Sequence, residues 1–297
     1  MRYGSRFPDT ILNLLFFRRE KADIYHITGH VHYIALLFPP ENTVLSIMDL
    51  RFLATAGTLR RFLLRKLYLD LPVRRLNYIT AISEQTRQEI LEQTGCDPQK
   101  VRTLGLPLFA GIEAGNLKQF NSNIPAILQV GTMENKNIPM LARALGGVRC
   151  TLRIIGKLSE EQVSALAENK VNYTHASGLS DEQIRQEYEN ADIVAFCSTY
   201  EGFGLPIIEA QSMQKPVITS RLSPMIETSG EAAFLADPLD PLSIREGILK
   251  IVNDAAYREK IVAAGLTNIE RFAPQSIAKQ YEDLYDEILA VSTKHAT

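Results

Sequence analysis

The ten residues EGFGLPIIEA, 201–210, place two carboxylates eight positions apart around two glycines and a proline. They follow the apolar run DIVAFCS, residues 192–198. Gly202 and Gly204 permit backbone conformations that a side chain forbids, and let a ligand approach the main chain. Pro206 suits the first position of a helix. The unpaired N–H groups and positive dipole end of such a helix make an anion site. Glu209 then lies about one turn inside the helix and Glu201 before the turn. The pair can flank a phosphate while meeting different hydroxyls, and a carboxylate accepts well from the paired hydroxyls of a ribose or hexose. The chemistry is that of a sugar joined to a nucleoside diphosphate. Taken alone, two glutamates at this spacing read equally as solvated charges beside a turn; the glycines, the proline and the buried run favour the site.

A second phosphate-binding element precedes this one. The apolar stretch 126–130 runs into GTMENKN, residues 131–137, and then a helix. The spacing is not that of a P-loop. It does put Lys136 beyond the end of a strand, where an ammonium can neutralise a diphosphate. Seen alone, Lys136 reads as readily as a surface-loop lysine.

The elements that must hold these loops alternate. Strands are expected at 126–130, 151–155, 171–174, 192–197, 216–219 and 232–235. Helices are expected at 138–145, 160–168, 181–189, 206–213 and 223–228. Ser159 and Ser180 stand before Glu-Glu-Gln and Asp-Glu-Gln as helix starts. Strands apolar on nearly every residue are buried on both faces, which implies a parallel sheet between helices. The second half is therefore an α/β, doubly wound domain. The first half reads as a smaller one: strands at 22–28, 43–47 and 76–82, a helix at 59–68, and a helix at 84–93 capped by Ser83 and closed by Gly95. Near the end, Pro274 stops one helix and 277–289 makes the last.

Composition is that of a folded soluble chain: 297 residues, 45% apolar and 22% charged, net charge -2. Residues 1–110 carry 15 Lys/Arg against 10 Asp/Glu, the remainder 17 against 24. The first half is thus the one suited to an anionic surface, unless this is ordinary surface variation. Cys96, Cys150 and Cys197 are scattered and odd in number, as in a reduced, cytoplasmic chain. No run approaches the length of a membrane span.

The blocks VGTMENKN, RIIGK, SGLSDEQI, residues 192–210, KPVITS and GEAAFLADPLD resemble the donor domain of glycosyltransferase family 4 (glycosyl transferases group 1). These are retaining enzymes of the GT-B fold. The resemblance runs from about Ile127 to the end. It implies two Rossmann-like doubly wound domains facing a cleft. These would be an N-terminal acceptor-side domain at 1–110, a linker at 111–123, a nucleotide-sugar-binding domain at 124–273, and a helix at 274–297 crossing back. It implies Glu201 and Lys136 as the catalytic residues, with Glu201 on the donor sugar. Phe203, Gly204 and Leu205 would meet the sugar and diphosphate through their backbone, Glu209 the ribose, and Lys136 the diphosphate with Gly131 and Thr132 beside it. Gly178 and Leu179 would lie near the base. Thr132 and Asn135 supply no arginine of the kind that often accompanies that lysine in the family. No cofactor and no metal are implied, since no Asp-x-Asp occurs; the donor would be a UDP- or GDP-sugar. Departure of the nucleotide would be front-face, without a protein nucleophile.

On the acceptor side the resemblance points to His30, His32 and Asp49, with Met48 where the family usually carries a histidine. Only 21 residues precede Ala22, so the N-terminal domain reads as truncated, or completed by a separate polypeptide. The acceptor would be a glycan or lipid-linked. The segment 59–75, LRRFLLRKLYLDLPVRR, holds six basic residues and one acid. It reads as a contact with an anionic membrane surface, placing the chain at the inner face, or as a basic outer helix. Nucleic acid is not expected. Two functions stand: a retaining glycosyltransferase, and an inactive or partner-dependent nucleotide-sugar-binding subunit.

Overall fold

The computed structural model describes residue 13 and residues 16–54, 58–109, 111 and 118–294. The chain divides into two units, one of residues 1–105 with 277–297, the other of residues 106–276.

The first unit is built on a parallel sheet in the order β1 (Tyr25–Ile27), β2 (Thr43–Ile47), β3 (Tyr78–Ala81), β4 (Val101–Thr103). Every residue of β2 is buried, as expected of an apolar strand covered on both faces. One face carries the core of Tyr33, Leu45, Tyr68, Leu69, Ile79 and Ile90. Helix α1 (Glu84–Thr94) begins where Ser83 accepts from the Thr86 amide and ends at Gly95 with φ 62°. The other face is covered by α2 (Pro274–Lys294), whose Leu284 and Ile288 pack on Val44 and Leu104.

The basic segment differs from the single helix expected at 59–68. An α-helix over Thr58–Arg65 passes into a π-helical turn over Lys66–Asp70 and then a short helix over Leu71–Arg75. Pro72 has no N–H to return to the Tyr68 carbonyl. That carbonyl faces His32 Nδ1 at 2.8 Å instead, while the Leu71 amide reaches back to Lys66. The side chains of Leu59 and Arg60 lie outside the described residues.

The second unit holds six parallel strands in the order β10-β9-β8-β5-β6-β7. They are β5 (Ala126–Val130), β6 (Thr151–Ile155), β7 (Tyr173–Ala176), β8 (Ile193–Phe196), β9 (Val217–Ser220) and β10 (Phe234–Ala236). The chain starts at β5, winds outward to β7, then returns to β8 on the other side of β5. The switch point of this doubly wound sheet is therefore the β5/β8 pair, and ligands bind beyond the carboxyl ends there.

Helices α3 (Ile138–Leu145), α4 (Glu160–Glu168), α5 (Asp181–Asn190) and α6 (Leu205–Ser212) cover the sheet. Ser159 with Gln162 and Ser180 with Gln183 close full capping boxes on α4 and α5. Strand β7 begins later than expected because Val171 is in a turn, its amide bonded to Leu166. Where one helix was expected before Pro274 there are two, α7 (Pro241–Asn253) and α8 (Ala255–Asn268), which start at Asp240 and Asp254, each accepting from the first turn. Pro274 follows the end of one helical stretch at Phe272, as expected, and also opens α2, since a first-turn position needs no N–H. Residues 118–123, expected to be linker, are fastened to this unit: Lys118 Nζ and the Asn121 amide both reach the buried Asp192 carboxylate. Residues 112–117 of that stretch lie outside the described residues.

Candidate functional site

Lys136 and Glu201 leave the carboxyl ends of β5 and β8, the two strands at the switch point. Lys136 Nζ donates to Glu201 Oε1 at 2.7 Å and lies 4.4 Å from the centre of the buried Phe196 ring. Neighbouring asparagines stitch the two loops together. Asn135 Nδ2 donates to the Tyr200 carbonyl at 2.8 Å and to Glu201 Oε1 at 3.0 Å, and the Thr199 amide donates to the Asn135 carbonyl at 2.9 Å. Asn137, with φ 60°, donates to the carbonyls of Cys197 and Pro238. Glycine at 131 has a packing reason. Its φ is 87°, and a Cβ there would come within 2.9 Å of Lys136 Cε.

The turn into α6 is made by Gly204 at φ 107°. The first helical residue is Leu205 and Pro206 the second, one place later than expected, and no side chain caps this end. Phe203 is buried edge-on against Phe272, and its carbonyl accepts from Thr228 Oγ1 at 2.7 Å. That carbonyl is thereby spent inside the fold, whereas the uncapped amides at the start of α6 carry the partial positive charge of a helix end.

Glu209 stands in the second turn of α6, and Tyr188 of α5 donates to its Oε2 at 2.6 Å. Burial pushes the Glu209 carboxyl above its ordinary range, against the pull of the Tyr188 hydrogen bond and the Lys136 charge. Burial, with the Glu209 charge beside it, also holds the Tyr188 phenol well above its usual value, so it stays a donor. Thr132 occupies the space over Gly156, where a Cβ would fall 2.5 Å from Thr132 Cγ2, and its carbonyl accepts from Gln162. Gly178, at φ 70°, and Leu179 follow β7 and precede the Ser180 cap, two strands out from β5.

In the first unit, Asp49 follows β2 and accepts from the Arg51 amide at 2.9 Å. His30 is exposed and packs edge-on against Phe52 at 4.8 Å. His32 is only 1% exposed. Its ring lies among His30, Phe52 and Tyr68, and burial lowers its pKa to about 4. It is a neutral core histidine whose Nδ1–H donates to the Tyr68 carbonyl, so the expectation that it orients an acceptor is replaced by a packing role. His26, the first of the three histidines near this strand end, joins Tyr285 of α2 to Ser46 of β2 through bonds of 2.6 and 2.7 Å.

Residues 124–254 match the family described as Glycosyl transferases group 1. The likeness to this family is that of the matched segment. It includes every donor-side residue named above, from Gly131 to Glu209. Among curated proteins, the O-antigen chain mannosyltransferase B of Escherichia coli is 36% identical over 36% of this chain and 28% of its own length. The capsular polysaccharide biosynthesis glycosyltransferase CapM of Staphylococcus aureus is 28% identical over 72% and 62%. The chain thus spans less than two thirds of either relative. Among solved structures, a glycosyltransferase from Rickettsia africae aligns at TM-score 0.75 with 20% identity, covering 97% of this chain and 84% of that one. The HepE protein of Anabaena, solved with UDP and glucose, aligns at TM-score 0.74 with 16% identity over 89% and 78%. At these identities the alignments establish a shared GT-B fold.

Among the described residues no group of three or more His, Cys, Asp or Glu is placed to hold a metal ion, and no helix is long and apolar enough to cross a membrane. Sequence reasoning missed Tyr188 and Asn135. Tyr188 looks like any apolar position of an amphipathic helix, and its partner is 21 residues away.

Proposed function

We propose that the chain is the catalytic part of a retaining glycosyltransferase that takes a hexose from a nucleoside-diphosphate sugar. The observation that carries the reading is the meeting of Lys136 and Glu201 within 2.7 Å, at the switch point and beside the uncapped N-terminus of α6. Lys136 now spends its charge on Glu201. A diphosphate between Lys136 and the α6 amides would take that charge and release the Glu201 carboxylate to the sugar hydroxyls. As the C1–oxygen bond breaks, negative charge grows on the leaving phosphate, where the ammonium and helix dipole stabilise it. The acceptor oxygen attacks the same face and gives up its proton to the departing phosphate, with retention. Glu209 takes the ribose, and Gly178–Leu179 border the base. UDP or GDP fits equally.

An acceptor that is a glycan or is lipid-linked accords with relatives that are an O-antigen chain mannosyltransferase and a capsular polysaccharide glycosyltransferase. On the first unit, Arg61, Phe62, Leu71 and Arg74 are exposed on the basic segment, a set suited to an anionic inner membrane face. Arg65 and Lys66 are not available to it, since both pair with the buried Asp70. The chain would then act from the cytoplasm.

The test is a calorimetric titration against UDP-, GDP- and ADP-sugars, followed by NMR of the anomeric proton in any product or released sugar. Saturable binding with an α-product from an α-donor is expected. Absence of binding to all three would overturn the reading. Binding with no transfer to any offered glycan or lipid-linked sugar would favour a donor-binding subunit instead. Retention on vesicles containing anionic lipid at low salt, lost at high salt, tests the membrane face.

A further inference from the structure

We propose that Tyr188 is a positioning residue of the nucleotide site, fixing one oxygen of Glu209 so that the other is presented to the ribose diol of a ribonucleotide. The inference rests on the assignment of Glu209 to the donor ribose made above. Tyr188 is completely buried, its ring held in the core with Leu128, Phe196, Ile207 and Val217. A ring so enclosed has one orientation, and its hydroxyl therefore points along one line. That line ends 2.6 Å away on Glu209 Oε2, in the neighbouring helix. Glu209 Oε1 accepts no bond from the described residues.

A free glutamate side chain gives up rotamer freedom when a ligand immobilises it. Here that ordering precedes binding, which is how preorganisation raises affinity. The arrangement also sets specificity. A site built to hydrogen-bond a hydroxyl rejects the analogue that lacks it far more strongly than an apolar pocket rejects a missing methylene. Glu209, already desolvated, has nothing to gain from a deoxyribose. The donor is accordingly a ribonucleotide, selected through a tyrosine that never touches it.

A purely packing tyrosine would behave differently, and the experiment separates the two. UDP, GDP and ADP are titrated calorimetrically into the wild type, Tyr188→Phe, Glu209→Ala and the double variant. The nucleotide that binds is compared with its 2′,3′-dideoxy counterpart between pH 5 and 8. Tyr188→Phe is expected to weaken the ribonucleotide about tenfold, the scale of one charge-assisted hydrogen bond, and to leave the dideoxy form unchanged. In the Glu209→Ala background it should add nothing. The acid limb of ribonucleotide binding should also move to higher pH in Tyr188→Phe. The phenol's hydrogen bond and the Lys136 charge are what hold the Glu209 carboxyl down against burial, and Glu201 stands beyond Lys136 and is paired to it.

Equal loss for ribo and dideoxy forms, or no loss, would overturn the inference. So would a wild type that binds both forms alike, a comparison that needs no variant to fold. A wild type that binds none of the three nucleotides removes the donor site itself, and this inference with it.

Discussion

At the scale of the residue, the candidate site is an ammonium between two carboxylates. Lys136 is bonded to Glu201 and its charge is felt by Glu209. Such a trio carries a net negative charge, so an anionic ligand depends on Lys136 and the α6 amides together. Lys136→Ala should cost on the order of tenfold to a hundredfold in nucleotide affinity, the range of a charge-assisted hydrogen bond, measured by calorimetry. Its melting temperature should fall little. The histidines make a separate, pH-based case. His32 titrates near 4 in the fold against 6.5 when unfolded, so the unfolded chain binds the extra proton between those values. Stability from its neutral burial is complete above pH 6.5 and is lost as pH falls toward 4, by about 3 kcal/mol at most. Urea midpoints of His32→Gln should be flatter across that window than those of the wild type. Sequence alone named Lys136, Glu201 and Glu209, because each lies in or just after a loop whose glycines and helix start are local signals. It could not tell that His32 points inward, since a strand-end loop carries no periodicity. Nor could it find Asn135 as the bridge to Glu201, a contact across 66 residues.

At the scale of the element, the loop after β5 works because residue 131 has no side chain. Gly131→Ala would place a methyl against Lys136 in a backbone region that costs roughly 1–3 kcal/mol for an L residue. The expected outcome is a displaced lysine: nucleotide affinity falls about tenfold or more, beyond what the modest drop in melting temperature explains. Unchanged calorimetric affinity would show that the arm has room to move. Of the helices with Ser-x-x-Gln starts, α4 was legible to the residue and α5 to all but its last residue, and β5 was legible to the residue as well. Strand β7 was displaced by two because Val171 is apolar yet sits in a turn. The break at Lys66–Asp70 was hidden because it depends on a carbonyl claimed by a histidine 36 residues away. The starts of α7 and α8 were written in Asp240 and Asp254, caps that passed unread amid Pro-Leu-Asp-Pro and Asn-Asp-Ala-Ala.

At the scale of the whole molecule, the alternation of apolar runs and helix starts sufficed for two parallel α/β sheets. The topological order of strands followed only from the structure. Each unit has its own core, and α2 contributes to the first through Leu284 and Ile288, both essentially buried. Leu284→Ala should destabilise that unit by about 2–5 kcal/mol. Calorimetric unfolding should then show one transition lowered and the transition of the 106–276 unit unmoved. A single transition shifted as a whole would instead mean that the units unfold as one.

Because the first unit is interrupted by the second, the ribosome delivers all four strands of its sheet long before the helix that covers one face. Val44 and His26 leave the exit tunnel early, while Ile288 and Tyr285, which cover and bond them, come after the entire intervening unit. At 5–20 residues per second, the uncovered face of β2 waits roughly twelve to fifty seconds for its lid. Throughout that interval a nascent apolar strand stands open, which makes this chain a natural client for whatever holds unfinished polypeptides apart.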